Sequence, residues 1–179
     1  LITAGPTVEN IDPVRFLSNY SSGKMGYALA EEAVKQGAKV VLVSGPVNIN
    51  APAGVELVSV KTAVEMHQVC MGKFADADLA IMAAAVADYR PKDAAEQKMK
   101  KSDDEISITF VKNPDILADL GKKKKDGQVL GGFALETNNE LENAKKKLHN
   151  KNADFIVMNS LQDANSAFGY DTNKISVIH

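Results

Sequence analysis

The sequence predicts an α/β fold: a Rossmann-like, doubly wound and mostly parallel sheet with helices on both faces and a flexible flap. Short apolar segments alternate along the chain with segments of helical period, the order that a sheet with crossover helices requires. Several apolar segments, such as KVVLVS at residues 39–44, are continuous, as strands buried on both faces are. The 179 residues are predicted to form one domain over residues 1–179.

The first half of the chain begins with the end of a strand at residues 1–4. Residues 24–37 form a predicted helix, because apolar residues recur on one face and the segment ends in a glycine. Strands follow at residues 39–44 and 55–60. Thr62 is predicted to cap a helix that runs to about residue 74, since its hydroxyl can accept from a first-turn N–H.

In the second half, residues 78–87 (DLAIMAAAVA) form the most apolar predicted strand. A helix is predicted with Asn113 as its cap and Pro114 in its first turn. Residues 91–105, which we call the flap, and residues 160–173 are polar and lack an apolar face, so they are predicted as long loops, which are usually lids or binding loops. The remaining predicted elements are strands at 106–111, 128–135, 155–158 and 174–178, the last at a sheet edge, and a helix at 138–147.

Composition and charge argue against several classes of protein. The formal net charge is -2, so no overall basic surface indicates nucleic acid, and the apolar runs are too short to span a membrane. The single cysteine, Cys70, excludes an internal disulfide framework and favours a reducing, cytoplasmic compartment. The three histidines lack the spacing of zinc ligands. Leu1 lies in a predicted strand without a preceding Met or signal peptide, so we interpret the sequence as a fragment cut at a domain boundary.

The loop after the first strand is rich in small residues. Residues 3–7 (TAGPT) are followed by residues 19–26 (NYSSGKMG), which lead into the first predicted helix. Small residues let backbone N–H groups approach an anion, and a helix start adds a partial positive charge. The pattern predicts that this loop handles phosphate.

Two common nucleotide-binding fingerprints are absent from the loop. No G-x-G-x-x-G spacing occurs, and Ser44 stands where an acidic residue would end the second strand. Ser18 stands where a Walker A loop requires glycine. Tyr20 and Lys24 have the Tyr-x-x-x-Lys spacing of short-chain dehydrogenases, but they lie in an early Ser/Gly loop instead of a mid-chain helix, so we interpret the match as coincidence.

Several other residues have both a structural and a functional interpretation. Asn19 either caps the following helix or donates its amide to an oxygen where charge develops. Arg15 is either a phosphate ligand or a member of a surface ion pair. The small residues 83–87 either let a helix pack closely or admit a planar base or sugar at the carboxyl end of a strand, where α/β sheets bind ligands. Asp88 would then hold a ribose hydroxyl or a metal.

Lysines form three clusters in the second half of the chain. The three lysines of residues 98–101 are either a solvated surface or part of a mobile loop from which one of them reaches a triphosphate. Residues 122–125 are interpreted as the basic end of a helix. Lys147 and Lys151 are four residues apart and share a helix face, so they could contact phosphates together.

Six segments occur in order across nearly the whole chain and together form a specific pattern. They are residues 3–9 (TAGPTVE), 12–15 (DPVR), 19–26 (NYSSGKMG), 84–91 (AAVADYRP), 112–116 (KNPDI) and 132–137 (GFALET). The pattern resembles bacterial phosphopantothenoylcysteine synthetase, the synthetase half of the bifunctional coenzyme A biosynthesis flavoprotein.

The resemblance implies a CTP-dependent ligase. The carboxylate of 4′-phosphopantothenate would attack CTP, with Mg²⁺ assistance, to give an acyl-cytidylate and pyrophosphate, and the amine of L-cysteine would then displace CMP. The resemblance also implies a homodimer and a cytoplasmic location. An upstream flavin decarboxylase domain of the same chain is expected, and FMN would bind only there.

The resemblance also implies roles for individual residues. Asn19 would act on the acyl-cytidylate in its conversion to product, and Lys98 would stabilise transferring phosphates from the flap. Arg15 would lie near the dimer interface, and Asp88 would contact nucleotide or metal. The other implied nucleotide-binding residues are Met82, Ala83, Ala84, Pro114, Asp115, Ile116 and Leu117 through their backbones, Phe133 by packing, and Lys147 and Lys151 through phosphate.

Two other functions remain as alternatives. One is an NAD(P)-binding oxidoreductase of the same architecture, against which the missing fingerprint and acidic residue both count. The other is a non-catalytic nucleotide-sensing module, in which Asn19 and Lys98 would have no role. Pyrophosphate release from CTP in the presence of phosphopantothenate would separate the ligase from both.

Overall fold

A computed structural model describes residues 1–100, 105–136, 138–160 and 172–179. Four helices occur within these ranges: α1 (Lys24–Lys35), α2 (Ala63–Lys73), α3 (Ile116–Lys123) and α4 (Glu140–Asn150). A short 3₁₀ turn, Phe74–Asp76, follows α2. The strands are β1 (Ile2–Ala4), β2 (Glu9–Asn10), β3 (Phe16–Leu17), β4 (Val40–Ser44), β5 (Val55–Ser59), β6 (Leu79–Met82), β7 (Tyr89–Pro91), β8 (Phe110–Lys112), β9 (Val129–Glu136), β10 (Phe155–Ser160) and β11 (Ile175–Ile178).

Seven strands form the main sheet in the order β11-β10-β9-β6-β1-β4-β5. All neighbours are parallel except β10 and β11, which are antiparallel. Along the chain, β4 and β5 are added on one side of β1. The chain then returns to the other side of β1, where β6, β9, β10 and β11 follow in order. The order therefore reverses between β1 and β6, and such a point in an open α/β sheet leaves a crevice at the carboxyl ends of the strands. The predicted doubly wound, mostly parallel sheet is confirmed.

Helices cover both faces of the sheet. Leu42 and Val43 are consecutive in β4 and both fully buried, so they face opposite sides. The Leu42 side packs with α1 through Tyr27 and Ala30. The Val43 side packs with α2, α3 and α4, and this larger core includes Met66, Leu120, Ala144 and Ile156. Each fully buried large aliphatic side chain contributes about 1.5–3 kcal/mol, and because the larger core includes residues of β4, β6, β9 and β10, it joins the two halves of the sheet.

Two predicted helix starts have different outcomes. Thr62 caps α2, with its side chain accepting from the Glu65 N–H while the Glu65 carboxylate bonds back, as a capping box. The next helix is present as α3, but its predicted cap is wrong. Asp115, instead of Asn113, caps α3 by accepting from the Ala118 N–H at 2.9 Å, and Pro114 lies before the helix. A carboxylate is favoured at this position because it also interacts with the positive end of the helix dipole.

The segments around the crevice depart most from the predicted strands. The strand predicted at 78–87 ends at Met82, and beyond it an isolated bridge joins Pro6 and Ala85. The strand predicted at 106–111 is reduced to β8, which pairs with β7 in a two-stranded ribbon. The β2–β3 hairpin was not predicted, since two-residue strands are too short to show a period.

The polar loops are only partly described. Residues 92–100 contain neither helix nor strand, as predicted for the flap, whose flexibility remains a prediction. Residues 101–104, which include Lys101, and most of the predicted 160–173 connection lie outside the described residues. No helix in the described ranges is both long and apolar enough to cross a bilayer.

Candidate functional site

The crevice beside β1 and β6 holds two adjoining cavities. The first, of about 1220 Å³, is lined by residues 21–28 at the start of α1 and by residues 83–86; we call it the helix-start cavity. The second, of about 620 Å³, is lined by the start of α3, by the aspartates Asp88 and Asp115 and by the lysines Lys112, Lys147 and Lys151; we call it the acidic cavity after its two aspartates. Four residues line both and form the boundary between them: Ala84, Val86, Phe133 and Lys147.

The floor of the crevice is residues 83–88, which we call the alanine loop. Two buried hydroxyls hold it: Thr3 Oγ1 accepts from the Ala84 N–H at 3.1 Å, and Thr7 Oγ1 accepts from the Ala87 N–H at 2.9 Å. The Ala85 N–H donates to the Gly5 carbonyl at 2.9 Å. Because buried backbone groups are costly to leave unpaired, these bonds fix the loop against the end of β1. Sequence reasoning missed both threonines, although polar residues in an otherwise apolar strand end are a usable signal.

Asn19 joins the alanine loop to the Ser/Gly turn. Its Nδ2 donates to the Ala85 carbonyl oxygen at 2.6 Å, and its Oδ1 accepts from the Ser21 N–H at 3.0 Å. These two partners together define the orientation of the amide. Asn113 also holds the alanine loop, because its Nδ2 donates to the Ala87 carbonyl at 2.8 Å. Asn19 is thus held at the edge of the crevice, and its role in the reaction stays a prediction.

The start of α1 is built for close approach. Gly23, before the first turn, has φ +80°, a conformation that favours glycine. At Gly26 an added Cβ would lie 2.5 Å from the Ala4 Cβ, so only glycine lets α1 pack directly on β1. The first turn of α1 carries no acidic residue, so the partial positive charge of the helix start is not neutralised from within the helix. This end of the helix-start cavity therefore favours an anion.

The acidic cavity gathers the residues predicted to bind nucleotide, all except Ala83 and Lys98. Those lining it are Met82, Ala84, Asp88, Pro114, Asp115, Ile116, Leu117, Phe133, Lys147 and Lys151. Ala83 lines the helix-start cavity instead. These residues come from the end of β6 and the alanine loop after it, the middle of β9, the start of α3 and the carboxyl end of α4, so the sheet topology, and not local sequence, brings them together.

Lys147 of α4 and Lys151, which directly follows this helix, already have partners. Lys147 Nζ donates to the Phe133 carbonyl oxygen at 2.7 Å, and Lys151 Nζ lies 2.5 Å from a carboxylate oxygen of Asp115. Burial raises the pKa of Asp115, but the hydrogen bonds from Lys151 and the Ala118 N–H outweigh burial and hold this pKa below its ordinary value. Asp115 is thus ionised at neutral pH and balances the charge of Lys151.

Lys98 is not brought to either cavity. It is exposed, lines neither, and makes no hydrogen bond or ion pair with the residues that the structure describes. Arg15, in contrast, bonds to Asp12 and to the Met99 carbonyl oxygen next to Lys98. The contacts place Arg15 at the flap and leave its predicted position near a dimer interface as a prediction.

A resident metal site is not formed by the described part of the chain, in which no three His, Cys, Asp or Glu residues cluster. Asp115 is occupied by Lys151 and by the cap of α3, which leaves Asp88 as the available carboxylate of the acidic cavity. Mg²⁺ is often held by one or two carboxylates together with substrate phosphates. The residues therefore fit a Mg²⁺ that arrives with a nucleotide.

The whole chain, residues 1–179, matches the family described as DNA/pantothenate metabolism flavoprotein C-terminal domain. The chain belongs to this family. The resemblance inferred from the six segments is confirmed. Other members show the same fold: the crystal structure of the C-terminal domain of a coenzyme A biosynthesis bifunctional protein CoaBC is 46% identical, with a TM-score of 0.81 over 98% of this chain and 78% of that one.

Relatives of this flavoprotein C-terminal domain family are longer proteins. The coenzyme A biosynthesis bifunctional protein CoaBC of Bacillus subtilis is 47% identical over 178 residues, which are 99% of this chain and 44% of that protein. A cysteine/cysteine sulfinic acid decarboxylase from an unknown prokaryotic organism is 49% identical over 99% of this chain and 50% of its own length. The chain therefore spans about half the length of the curated relatives it matches.

A solved structure of low sequence identity also has the same fold as this chain. A Cab2 mutant in complex with phosphopantothenate-cysteine has a TM-score of 0.70 over 99% of this chain at 20% identity. At that identity the likeness establishes the shared fold of the flavoprotein C-terminal domain.

Proposed function

We propose that this chain is a phosphopantothenate–cysteine ligase that uses CTP. The observation that carries the proposal is the crevice itself: the Ser/Gly turn before α1 and the alanine loop converge there, and nearly all the residues implied in nucleotide binding line it. Membership of the family and the 46% identity to the CoaBC C-terminal domain support the same reaction.

The charges of the two cavities favour one direction for a bound nucleotide. The acidic cavity is lined by two aspartates and three lysines, so its side-chain charges nearly cancel, and the Asp88 and Asp115 carboxylates can accept from ribose hydroxyls. The helix-start cavity offers the unneutralised start of α1. Lys147 lines both. The cytidine would therefore occupy the acidic cavity and the triphosphate would extend towards α1.

The reaction has two displacements. The carboxylate of 4′-phosphopantothenate attacks the α-phosphorus of CTP, the bond to the bridging oxygen breaks, and pyrophosphate leaves with its electron pair. The cysteine amine then attacks the acyl carbon, CMP leaves, and the amine loses a proton as the amide forms. Bound Mg²⁺ would supply neutralisation of phosphate charge, with Asp88 as its protein ligand.

The chain's own residues would serve these steps by binding and orientation. Asn19 is anchored to Ala85 and Ser21, so its amide lies beside the floor on which the acyl-cytidylate would form. There it would donate to oxygens whose charge grows during aminolysis. Lys98 would enter from the flap during activation and place a positive charge on the transferring phosphates.

The proposal also covers the assembly around this domain. We infer a homodimer, a cytoplasmic location and an upstream flavin-containing decarboxylase domain in the complete protein. The half-length match to the bifunctional relatives supports the last of these.

The deciding experiment measures pyrophosphate from CTP and phosphopantothenate, first without cysteine and then with it. The proposal expects pyrophosphate that depends on phosphopantothenate, and CMP with the amide product once cysteine is added. Nicotinamide binding without pyrophosphate release would favour an oxidoreductase. Nucleotide binding without any turnover would favour a sensing module.

A further inference from the structure

We propose that Asp12 and Arg15 form a latch that docks the flap and positions Lys98. The latch is a property of the described contacts alone, whereas its effect on Lys98 rests on the proposed function. Asp12 would be a positioning residue, because it acts through Met99 and not on the substrate.

The latch is built on a carboxylate that the hairpin loop buries. The Asp12 side chain is fully buried, although Pro13, Val14 and Arg15 around it are exposed. Its Oδ1 accepts from the Val14 N–H at 2.8 Å and from the Arg15 N–H at 2.7 Å. These bonds close the loop between β2 and β3 and leave Oδ2 to accept from Arg15 and from the flap.

Both backbone groups of Met99 are bound by this pair. The Met99 N–H donates to Asp12 Oδ2 at 3.1 Å, and Arg15 Nη2 donates to the Met99 carbonyl oxygen at 2.8 Å. Arg15 Nε and Nη2 also donate to Asp12 Oδ2. The Asp12–Arg15 ion pair therefore binds both the N–H and the carbonyl of Met99. A third bond runs from the Ala95 N–H to the Ile11 carbonyl at 2.9 Å.

The ionised state of Asp12 is secured by the same contacts. The Arg15 guanidinium, helped by the N–H groups of Val14, Arg15 and Met99, holds the pKa of Asp12 well below its ordinary value. Each carboxylate oxygen of Asp12 accepts hydrogen bonds: Oδ1 from the N–H groups of the loop and Oδ2 from the Arg15 guanidinium and the Met99 N–H. An asparagine would replace one of these oxygens with an NH₂ group, which cannot accept from these donors. The neutral isostere therefore breaks the latch while it preserves the volume of the side chain.

The latch fixes the residue that follows Lys98. Lys98 is exposed, with Met99 anchored beside it, and the other end of the flap is tied where the Lys92 N–H donates to the Thr109 carbonyl at 2.9 Å. A lysine next to an anchored residue has to search only its own rotamers and a local backbone change to reach the crevice. Without the anchor, the whole flap would have to be ordered at each turnover.

Amide exchange in the wild-type protein tests the latch directly. We expect the Ala95 and Met99 amides to exchange at least about tenfold more slowly than those of Lys98 and Lys100, because Ala95 donates to the Ile11 carbonyl and Met99 to the Asp12 carboxylate. Equal exchange at the four amides would overturn the proposal. This measurement needs no substituted protein and no substrate.

Limited trypsin digestion of Asp12→Asn tests the carboxylate. Cleavage after Lys98 and Lys100 should be at least about tenfold faster than in the wild type. The matched control is Asp93→Asn, which neutralises an exposed aspartate of the same flap and should leave cleavage unchanged. A folded Asp12→Asn protein cut at the wild-type rate would contradict the latch. If this variant does not fold, the wild-type exchange pattern decides.

The two half-reactions connect the latch to Lys98. Asp12→Asn should slow pyrophosphate release about tenfold, while aminolysis of supplied acyl-cytidylate keeps its rate. Equal slowing of both steps would assign Asp12 a merely structural role. Absence of pyrophosphate release from the wild type would refute the proposed function, and amide exchange would still decide whether the latch exists.

Discussion

Asn19 and Ala85 are 66 residues apart in the chain, yet the Asn19 amide nitrogen lies 2.6 Å from the Ala85 carbonyl oxygen. This contact connects the turn before α1 to the loop after β6, across the point where the strand order reverses. Asn19 lines neither cavity itself, but its two partners, Ala85 and Ser21, both line the helix-start cavity. The contact therefore makes Asn19 the first residue to test.

Asn19→Asp should separate the two half-reactions. The change replaces the donor with an acceptor, so conversion of the acyl-cytidylate should slow by about 10²–10³-fold while activation continues. Rapid quench with detection of the intermediate would show it accumulating. Asn48→Asp, at an exposed asparagine outside both cavities, is the matched control. Normal amide formation by Asn19→Asp would remove this residue from the mechanism.

Lys98→Gln should abolish activation. Loss of the charge from the flap should lower phosphopantothenate-dependent pyrophosphate release by at least about 100-fold, because the charge is proposed to act on the transferring phosphates. Lys100→Gln changes a neighbouring exposed lysine of the same flap and should retain most activity. If Lys100→Gln loses the activity and Lys98→Gln keeps it, the wrong lysine has been assigned.

Thr7→Val should destabilise the fold by about 1–3 kcal/mol, because it leaves the Ala87 N–H without its acceptor in a partly buried loop. Urea unfolding would measure the loss. Thr109→Val, at an exposed threonine, makes the same change of side chain without removing such an acceptor. Equal stability of the two variants would show that the hydroxyl of Thr7 does not hold the alanine loop.

Gly26→Ala and Gly72→Ala should have opposite effects, although both glycines lie in helices. A Cβ at Gly26 meets Ala4 and Thr3, which would cost about 1–3 kcal/mol, whereas nothing lies within 4 Å of a Cβ at Gly72. Gly72→Ala should therefore stabilise the protein by about 0.5–1 kcal/mol through helix propensity. Thermal unfolding of the two variants is the test. A tolerated Gly26→Ala would mean that α1 can move away from β1.

Acid should weaken the folded state partly through Asp115. Its pKa is lower in the folded than in the unfolded chain, so its contribution is present above the unfolded pKa of about 3.9 and disappears as the pH falls through the folded value. Asp115→Asn can still cap α3, but should show a shallower loss of stability below about pH 4. Urea midpoints between neutral and acid pH measure this, with Asp126→Asn as a control at an exposed carboxylate. Identical acid slopes for wild type and Asp115→Asn would contradict the assignment.

The sequence predicted most reliably those elements whose patterns are local. The continuous apolar residues of β4 and the Thr62 capping box are readable from a few neighbouring residues, and both are present. Asn113 was misassigned because its partner is the Ala87 carbonyl, 26 residues away, and no local pattern reports such a bond. The contact between Asp12 and Met99 was not predicted for the same reason, since the two residues are 87 positions apart.

The candidate site was predicted through the resemblance, and not through spacing alone. Spacing left the alanine loop, and likewise Lys147 and Lys151, with both a structural and a functional interpretation. The topology then placed them around the acidic cavity. Lys98 is the exception, because its position depends on a flap whose described part carries no regular structure.

The reversal of strand order has a thermodynamic consequence. Every wall of the crevice comes from a segment distant in sequence, so the pocket exists only when both halves of the sheet are assembled. Any molecule that occupies it binds the native state and not the unfolded chain, and at 100 times its dissociation constant it would add about 2.7 kcal/mol to the free energy of unfolding. The melting temperature of this protein is therefore itself a binding assay, through which unmodified substrates can be ranked without observing turnover.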